Sequence, residues 1–201
     1  MTDTLSWRMK IGVIAPASNT VVQPEFDRMR PRGVSNQHMR VNIPDTPVGS
    51  DDELAALTGK IRADIEVSLA TVMACTPATV IMALGAETLW EGLLTPKELQ
   101  AHLEQRAGVH VVLSGLATVA AMQKYGGVHR IGVLTPYLPP GDAQVRRFFT
   151  EAGFEVVNLL GLRSASPALM AHEPLEKLRR ATRDVDDPSI ELIVQVGSNL
   201  P

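Results

Sequence analysis

Two short polar segments, each following an apolar run, carry side chains that could hold and protonate a small anion. Both begin with glycine, and they consist of Gly85, Ala86 and Glu87 in one case and Gly197, Ser198 and Asn199 in the other. Glycine lets backbone amides approach a ligand closely, and amides at the turn from a strand to a helix point at anions. The two segments therefore predict a cradle for a carboxylate, with amide donors that could also stabilise an enediolate.

Glu87 is the strongest acid or base among these residues. A carboxyl group two residues beyond a strand end could protonate a carbanion if burial raised its pKa. The alternative is a solvated glutamate at a helix start, where it interacts favourably with the helix dipole. Ser198 and Asn199 would donate hydrogen bonds to the carboxylate from the other side, so the predicted site is asymmetric.

The apolar runs before these segments belong to a repeat. Residues 80–84 match residues 192–196, and residues 10–16 return in near copy at 130–136. Apolar, β-branched runs stopped by proline or glycine are typical of buried parallel strands whose carboxyl ends open into loops. Because ligands bind at the carboxyl ends of strands in parallel α/β sheets, two related halves would place four such loops around one cleft.

The elements that must position these loops alternate along the chain. The predicted strands are 11–14, 39–43, 79–84, 109–113, 131–134, 154–159 and 190–196, and the predicted helices are 24–29, 50–74, 95–107, 115–124, 142–152 and 175–183. Capping boxes at Ser50 and Thr95 mark two of the helix starts. Residues 162–174 form the only long irregular stretch, a candidate lid or a surface loop.

The fold class predicted from this order is α/β, with two pseudosymmetric Rossmann-like halves, each built on a parallel sheet. The first half is expected to span residues 1–127 and the second 128–201, with the cleft between them. The chain ends directly after its last predicted loop, without a helix to follow. This predicts that a C-terminal βα unit is missing.

Composition excludes several classes of function. With 4% aromatic residues and a net charge of −3, the chain lacks the stacking surface and the basic groove of a nucleic-acid partner. No apolar run approaches the roughly 18 residues of a membrane span, and the N-terminus lacks a signal peptide core, so a cytoplasmic protein without membrane contact is expected. The single cysteine excludes an internal disulfide and a cysteine-based zinc site, and the histidines are not paired at metal-ligand spacing.

The four strand-end motifs resemble those of the aspartate/glutamate racemase superfamily, in the branch of maleate cis-trans isomerase and arylmalonate decarboxylase. The resemblance rests on IGVIAPASNT, VIMALGAETLWEG, RIGVLTPY and LIVQVGSNLP, in this order along the whole chain. It implies chemistry on the carbon next to a carboxylate of a small carboxylic or dicarboxylic acid. It also implies that no cofactor takes part.

The resemblance assigns further site residues. Ser18 and Asn19 match the first-loop Ser-Asn of the isomerase, which implies that Asn19 binds the substrate. Tyr137 matches an active-site tyrosine that binds the substrate carboxylate, and Ser114 matches a site serine. The structural alternatives are turn or cap roles for Ser18, Asn19 and Ser114, and a buried phenol bonded to the backbone for Tyr137.

The chain departs from the family where catalytic cysteines are expected. The racemases and the maleate isomerase have two facing cysteines at the strand ends that here carry Gly85 and Gly197, whereas the decarboxylase has glycine at the first and cysteine at the second. Gly85 therefore favours decarboxylation over isomerisation, and a carboxylate-binding member without activity is the alternative. Cys75, near the end of an apolar helix, is expected to be a buried structural thiol. A homodimer is the expected assembly.

Overall fold

The computed structural model describes residues 3–43, 50–85 and 94–201, in which strands and helices alternate. The strands are β1 (Met9–Pro16), β2 (Val34–Val41), β3 (Thr79–Met82), β4 (His110–Leu113), β5 (Arg130–Thr135), β6 (Glu155–Gly161) and β7 (Leu192–Gln195). The helices are α1 (Val22–Met29), α2 (Asp51–Met73), α3 (Leu94–Ala107), α4 (Ser114–Tyr125), α5 (Pro139–Glu151) and α6 (Leu175–Val185). A short 3-10 helix, Ala168–His172, lies in the stretch predicted to be irregular.

The strands form two parallel sheets with matching order. One sheet runs β2-β1-β3-β4 and the other β6-β5-β7, and every described pair is parallel. In each sheet the repeated strand, β1 or β5, lies between the strand that follows it and the strand that precedes a glycine loop. The α/β class and the two related parallel sheets are therefore confirmed, and the carboxyl ends of β1, β3, β5 and β7 carry the predicted loops.

Helix α2 shows why the first sheet is covered on one face. Ser50 Oγ accepts from Glu53 N at 3.3 Å, and the Glu53 carboxylate accepts from Ser50 N at 3.2 Å, so the capping box forms as predicted. Apolar side chains at three- and four-residue spacing face the sheet and are at most 2% exposed: Ile61, Ile65, Leu69 and Val72. Burying each of them stabilises the fold by about 1.5–3 kcal/mol. Within the described ranges, no helix is long and apolar enough to cross a membrane.

Some element boundaries differ from the sequence prediction. Strand β2 begins at Val34, five residues before the predicted start, and pairs with β1 along its whole length. The first part of β2 was not predicted because its residues are mostly polar. Polar residues are tolerated there because β2 is an edge strand that is only partly buried. Helix α3 begins at Leu94, so Thr95 lies in its first turn and not at its cap.

The prediction that Cys75 is buried was wrong, because its side chain is exposed. Helix α2 ends at Met73, and Thr76 takes a φ of 51°, so the chain turns outward before β3 begins. Cys75 therefore precedes the amino end of β3, whereas Gly85 follows its carboxyl end. The only cysteine of the chain lies at the opposite edge of the sheet from the predicted cleft.

Candidate functional site

Loops from both sheets meet at the carboxyl ends of the strands, and hydrogen bonds join them. Asn19, after β1, donates from Nδ2 to Ser198 Oγ, after β7, at 3.1 Å. Ser198 Oγ in turn donates to the carbonyl oxygen of Ala83, after β3, at 2.9 Å. The backbone N–H of Thr20 donates to Asn199 Oδ1 at 3.0 Å. The β1 and β3 loops of the four-stranded sheet are thus tied to the β7 loop of the three-stranded sheet.

Tyr137, after β5, completes this arrangement by reaching the first glycine. A Cβ built on Gly85 would overlap the Tyr137 hydroxyl and would lie 3.7 Å from the ring carbon Cζ. The phenol oxygen therefore fills the space that a side chain at position 85 would occupy. Burial raises the pKa of Tyr137 far above its usual range, and the nearby charge of Asp142 raises it further. The hydroxyl therefore keeps its proton at neutral and at mildly alkaline pH, in the form that is able to donate a hydrogen bond.

A buried carboxylate holds the loop that carries Tyr137. Asp142, in the first turn of α5 and 8% exposed, accepts from Thr135 Oγ1 and from Arg163 Nη1, the latter at 2.5 Å. Thr135 Oγ1 also accepts from Tyr137 N at 3.2 Å, and Arg163 Nη1 donates to the Tyr137 carbonyl at 3.0 Å. Sequence reasoning missed Asp142 and Arg163. An acidic residue in the first helical turn after a strand-end loop was the available signal for Asp142.

We expect Asp142→Asn to lower the free energy of unfolding by about 1–2 kcal/mol, since the new amide group would face the Arg163 donor. The loss is kept modest because the Arg163 side chain is 48% exposed and water can solvate it. Denaturant unfolding measures the change. Asp27→Asn is the matched control, because the bond that Asp27 accepts from Asn36, at 3.1 Å, is exposed, and its loss should change stability by less than about 0.5 kcal/mol. Equal effects for the two variants would contradict the role given to Asp142.

Asn19 takes the structural role that the sequence left open, and it also faces the other half. It is 2% exposed, and its Oδ1 accepts from the backbone N–H groups of Val21 and Val22 at 3.0 and 2.9 Å. These bonds satisfy two free amides at the start of α1. Because they fix the carbonyl end of the side chain, they also direct Nδ2 toward Ser198.

Ser114 supports the end of β3. Its Oγ donates to the carbonyl of Leu84 at 3.0 Å, beside Gly85. Ser114 is the first residue of α4, and the cap position is occupied by Leu113, which makes no side-chain cap bond. Ser114 therefore holds the strand end next to the first glycine and does not cap the helix.

The hydroxyl group of Ser18 is a buried polar group without a described hydrogen-bond partner. Its Oγ is buried and has no partner among the described residues. Burial of a polar group without a partner costs about 1–3 kcal/mol, so such groups call for a functional explanation. Ser18 lies in the β1 loop next to Asn19, and its own carbonyl accepts from Asn199 Nδ2 at 3.5 Å.

The side chains of Ser198 and Asn199 are engaged within the protein. The hydroxyl hydrogen of Ser198 goes to Ala83, and Asn199 Nδ2 donates to the Pro167 carbonyl at 2.9 Å, which fixes the 3-10 segment to the loops. Both side chains therefore hold loops together in this structure. Gly197, just before them, takes a φ of 101° and packs against Pro136. Ala86 and Glu87 lie outside the described residues, so their roles stay predictions.

The comparisons with known proteins bear on this arrangement. No protein-family model matches the chain. Maleate isomerase from Pseudomonas putida strain KT2440 is 27% identical to it over 197 residues, which cover 92% of this chain and 76% of that protein. The chain is thus similar in sequence to a maleate isomerase over most of its length.

Solved structures share the fold of this chain. A Nocardia farcinica maleate cis-trans isomerase, a cysteine-to-serine variant with a covalently bound succinylcysteine intermediate, superposes with a TM-score of 0.82 at 21% identity, covering 96% of this chain and 80% of that one. A liganded arylmalonate decarboxylase, a double variant exchanging glycine for cysteine and cysteine for serine, superposes with a TM-score of 0.80 at 14% identity, covering 96% and 79%. These values confirm that the chain shares the fold of both enzymes.

This chain has no cysteine at the two glycine strand ends. Its strand ends carry Gly85 and Gly197, and its single cysteine, Cys75, is exposed at the opposite edge of the sheet. In the described part of the chain, no three His, Cys, Asp or Glu side chains come together as metal ligands would. Tyr137 and Ser18 both carry hydroxyl groups at these loops.

Proposed function

We propose that the chain is a cofactor-independent enzyme that acts at the carbon next to a carboxylate of a small dicarboxylic acid, most like arylmalonate decarboxylase. The observation that carries the proposal is the Tyr137 hydroxyl, which fills the side-chain space at Gly85. In the resemblance, that strand end holds a thiol in the isomerases and a glycine in the decarboxylase. An oxygen donor supplied from the opposite half thus stands at a catalytic position of the family.

Decarboxylation suits these groups better than isomerisation. The isomerase relative carries a succinylcysteine, whereas neither strand end of this chain has a thiol that could form such an adduct. Loss of carbon dioxide leaves the electron pair of the broken carbon–carbon bond on the α-carbon, as an enediolate. Hydrogen-bond donors placed at the oxygens of that intermediate stabilise it and the transition state before it. The hydroxyl groups of Tyr137, in the β5 loop, and of Ser18, in the β1 loop, are the donors that we propose for this role.

The proposed roles follow from the donors. Tyr137 Oη and Ser18 Oγ donate to the enediolate oxygens, together with the backbone amides of Gly85 and Ala86. Glu87 is the proposed acid, which gives its proton to the α-carbon and regains one from water. Ser114, Gly197, Ser198 and Asn199 shape the cradle, the last two through the bonds that hold the loops in place.

A carboxylate-binding protein without turnover is the second candidate. It is favoured by the cross-half bonds of Asn19, Ser198 and Asn199, which use up the donors of Ser198 and Asn199 inside the protein. A cleft tied in this way would hold a ligand without offering an acid to it. Turnover separates the two candidates, because binding alone cannot exchange a group at the α-carbon.

The test is incubation with phenylmalonate and with maleate in deuterated water, followed by proton NMR. We expect phenylacetate with deuterium at the α-carbon and no fumarate. Cys75→Ser is the control and should keep the parent's rate, since the exposed thiol is remote from the loops. Malonate binding by calorimetry without any turnover would support the binder. Fumarate formation would favour the isomerase alternative. If the protein neither bound malonate nor turned over either substrate, the proposal would be overturned.

Ser18→Ala should affect stability and ligand affinity in opposite directions. Removing a buried hydroxyl that lacks a partner among the described residues should leave the free energy of unfolding unchanged or slightly higher, because no bond to those residues is lost. Malonate affinity should fall about tenfold, the value of one hydrogen bond of roughly 1.4 kcal/mol. Unfolding in denaturant and calorimetry measure the two quantities.

Ser35→Ala is the matched control for Ser18→Ala. Ser35 is 9% exposed, and its Oγ bonds to Ser6 Oγ at 2.6 Å near the amino end of β2. Its replacement should cost about 1 kcal/mol of stability and leave malonate affinity unchanged. If Ser18→Ala destabilised the protein as much as Ser35→Ala does, the Ser18 hydroxyl would have a structural role within the protein, and its proposed role as a donor to the ligand would be contradicted.

A further inference from the structure

An arginine of the first half binds the main chain of the β1 loop, whose Asn19 side chain reaches the second half. Arg40, near the carboxyl end of β2, donates from Nη1 to the Asn19 carbonyl at 2.6 Å and to the Pro16 carbonyl at 3.3 Å. Its Nη2 donates to Gln23 Oε1, on α1, at 2.8 Å. Arg40 thus joins the strand-end loop to the helix that follows it.

The second half contains an equivalent arginine. Arg163 lies two residues beyond the carboxyl end of β6, which has the same place beside β5 that β2 has beside β1. It donates from Nη1 to the Tyr137 carbonyl at 3.0 Å and to Asp142 Oδ2, on α5, at 2.5 Å. Arg163 therefore also joins a strand-end loop to the next helix.

The two arginines share a further feature. Each binds the main-chain carbonyl of the residue whose side chain crosses to the opposite half: Asn19 bonds to Ser198, and Tyr137 reaches Gly85. A guanidinium group suits this task, because its planar fork can bind a carbonyl and a second acceptor at once. A lysine offers a single compact ammonium group in the same place.

We infer that Arg40 and Arg163 are a matched pair of positioning residues that set where the Asn19 and Tyr137 side chains lie across the cleft. They act through these two residues and do not contact the ligand. Their effect on turnover rests on the proposed function, whereas their effect on side-chain position does not. Misplacing a reacting group by about 1 Å can slow a reaction by about 100-fold, which sets the scale of the effect.

The ligand-free test uses NMR at neutral pH. The chain has two tyrosines, so Tyr125→Phe leaves Tyr137 as the only one, and labelling with carbon-13 at Cζ gives one signal. In Arg163→Met this signal should move toward its position in the unfolded protein, and Arg163→Lys should move it less. The Asn19 side-chain amide, assigned by its loss in Asn19→Asp, should shift in the same way in Arg40→Met.

Each half offers a matched control. Arg146 donates to the Val156 carbonyl at 2.5 Å, and Arg8 donates to the Arg32 carbonyl at 3.3 Å, both near the amino ends of strands. Arg146→Met and Arg8→Met remove an arginine-to-carbonyl bond without touching the cleft loops. Neither control should shift the Tyr137 or the Asn19 signal.

Turnover of phenylmalonate gives the second readout. In Arg40→Met and Arg163→Met, kcat should fall by up to about 100-fold with little change in KM, and the lysine variants should recover part of the loss. Unshifted Tyr137 and Asn19 signals in the methionine variants would overturn the inference, whatever the activity. Shifted signals in a protein whose parent neither binds nor turns over would support the inference and refute the proposed function.

Discussion

Replacing Gly197 with alanine should lower the free energy of unfolding by about 3 kcal/mol or more, through two added costs. Its φ of 101° is a conformation that side-chain-bearing residues rarely adopt. In addition, a Cβ at this position would lie 2.8 and 2.9 Å from Cγ and Cδ of Pro136, and the rigid proline ring has no flexible end that could move aside. Thermal or denaturant unfolding measures the loss.

Gly153→Ala separates these two costs. Gly153 has a similar φ of 94°, but a Cβ there would have no neighbour within 4 Å. Its replacement should therefore show the conformational cost alone, about 1–2 kcal/mol. If Gly197→Ala were no worse than Gly153→Ala, the Pro136 contact would not constrain the loop.

The same contact bears on the missing thiols. A cysteine placed at position 197 would meet Pro136 and the unfavourable φ together, so the backbone would have to change before a thiol could face the cleft. For this reason we expect Gly197→Cys to unfold more easily and to gain no isomerase activity toward maleate. Placing a thiol at position 197 would therefore require a change of the loop backbone and not only an exchange of one side chain.

The sequence predicted the fold because each repeated strand can be recognised from its own short run of residues. The runs that became β1 and β5 are apolar, β-branched and stopped by proline, and each lies in the centre of its sheet. Prediction failed where burial depends on tertiary contacts. Strand β2 is polar along an open edge, and Cys75 follows an apolar helix yet turns outward at Thr76, where φ is positive.

The site was predictable only in part, for a related reason. The loop residues Asn19, Tyr137 and Ser198 could be picked out because they follow recognisable strands. The groups that orient them could not, since Arg40 and Arg163 lie on other elements and reach the loops through side chains about 20 or more residues away in the sequence. A pairing of this kind is visible only in three dimensions, because the spacing differs between the two halves.

Gly85 and Tyr137 provide the sharpest test of the site, because stability and turnover should respond differently. Tyr137→Phe should slow phenylmalonate turnover by about 100- to 1,000-fold, the usual result of removing a transition-state donor. Gly85→Ala should destabilise the protein by about 1–3 kcal/mol, since the methyl group and the Tyr137 hydroxyl would compete for one space. Denaturant unfolding and proton NMR measure the two effects.

The double variant, Gly85→Ala with Tyr137→Phe, tests whether a side chain at position 85 and the Tyr137 hydroxyl compete for the same space or whether the two substitutions act independently. Without the hydroxyl, the nearest ring atom is Cζ at 3.7 Å from the new Cβ, an ordinary contact, so Gly85→Ala should cost little in the Tyr137→Phe background. A coupling of about 1–3 kcal/mol between the two sites is expected, while turnover should stay as low as in Tyr137→Phe alone. Additive stability losses would show that the hydroxyl does not occupy the position of a side chain at 85. Recovery of turnover in the double variant would show that a donor other than Tyr137 stabilises the transition state.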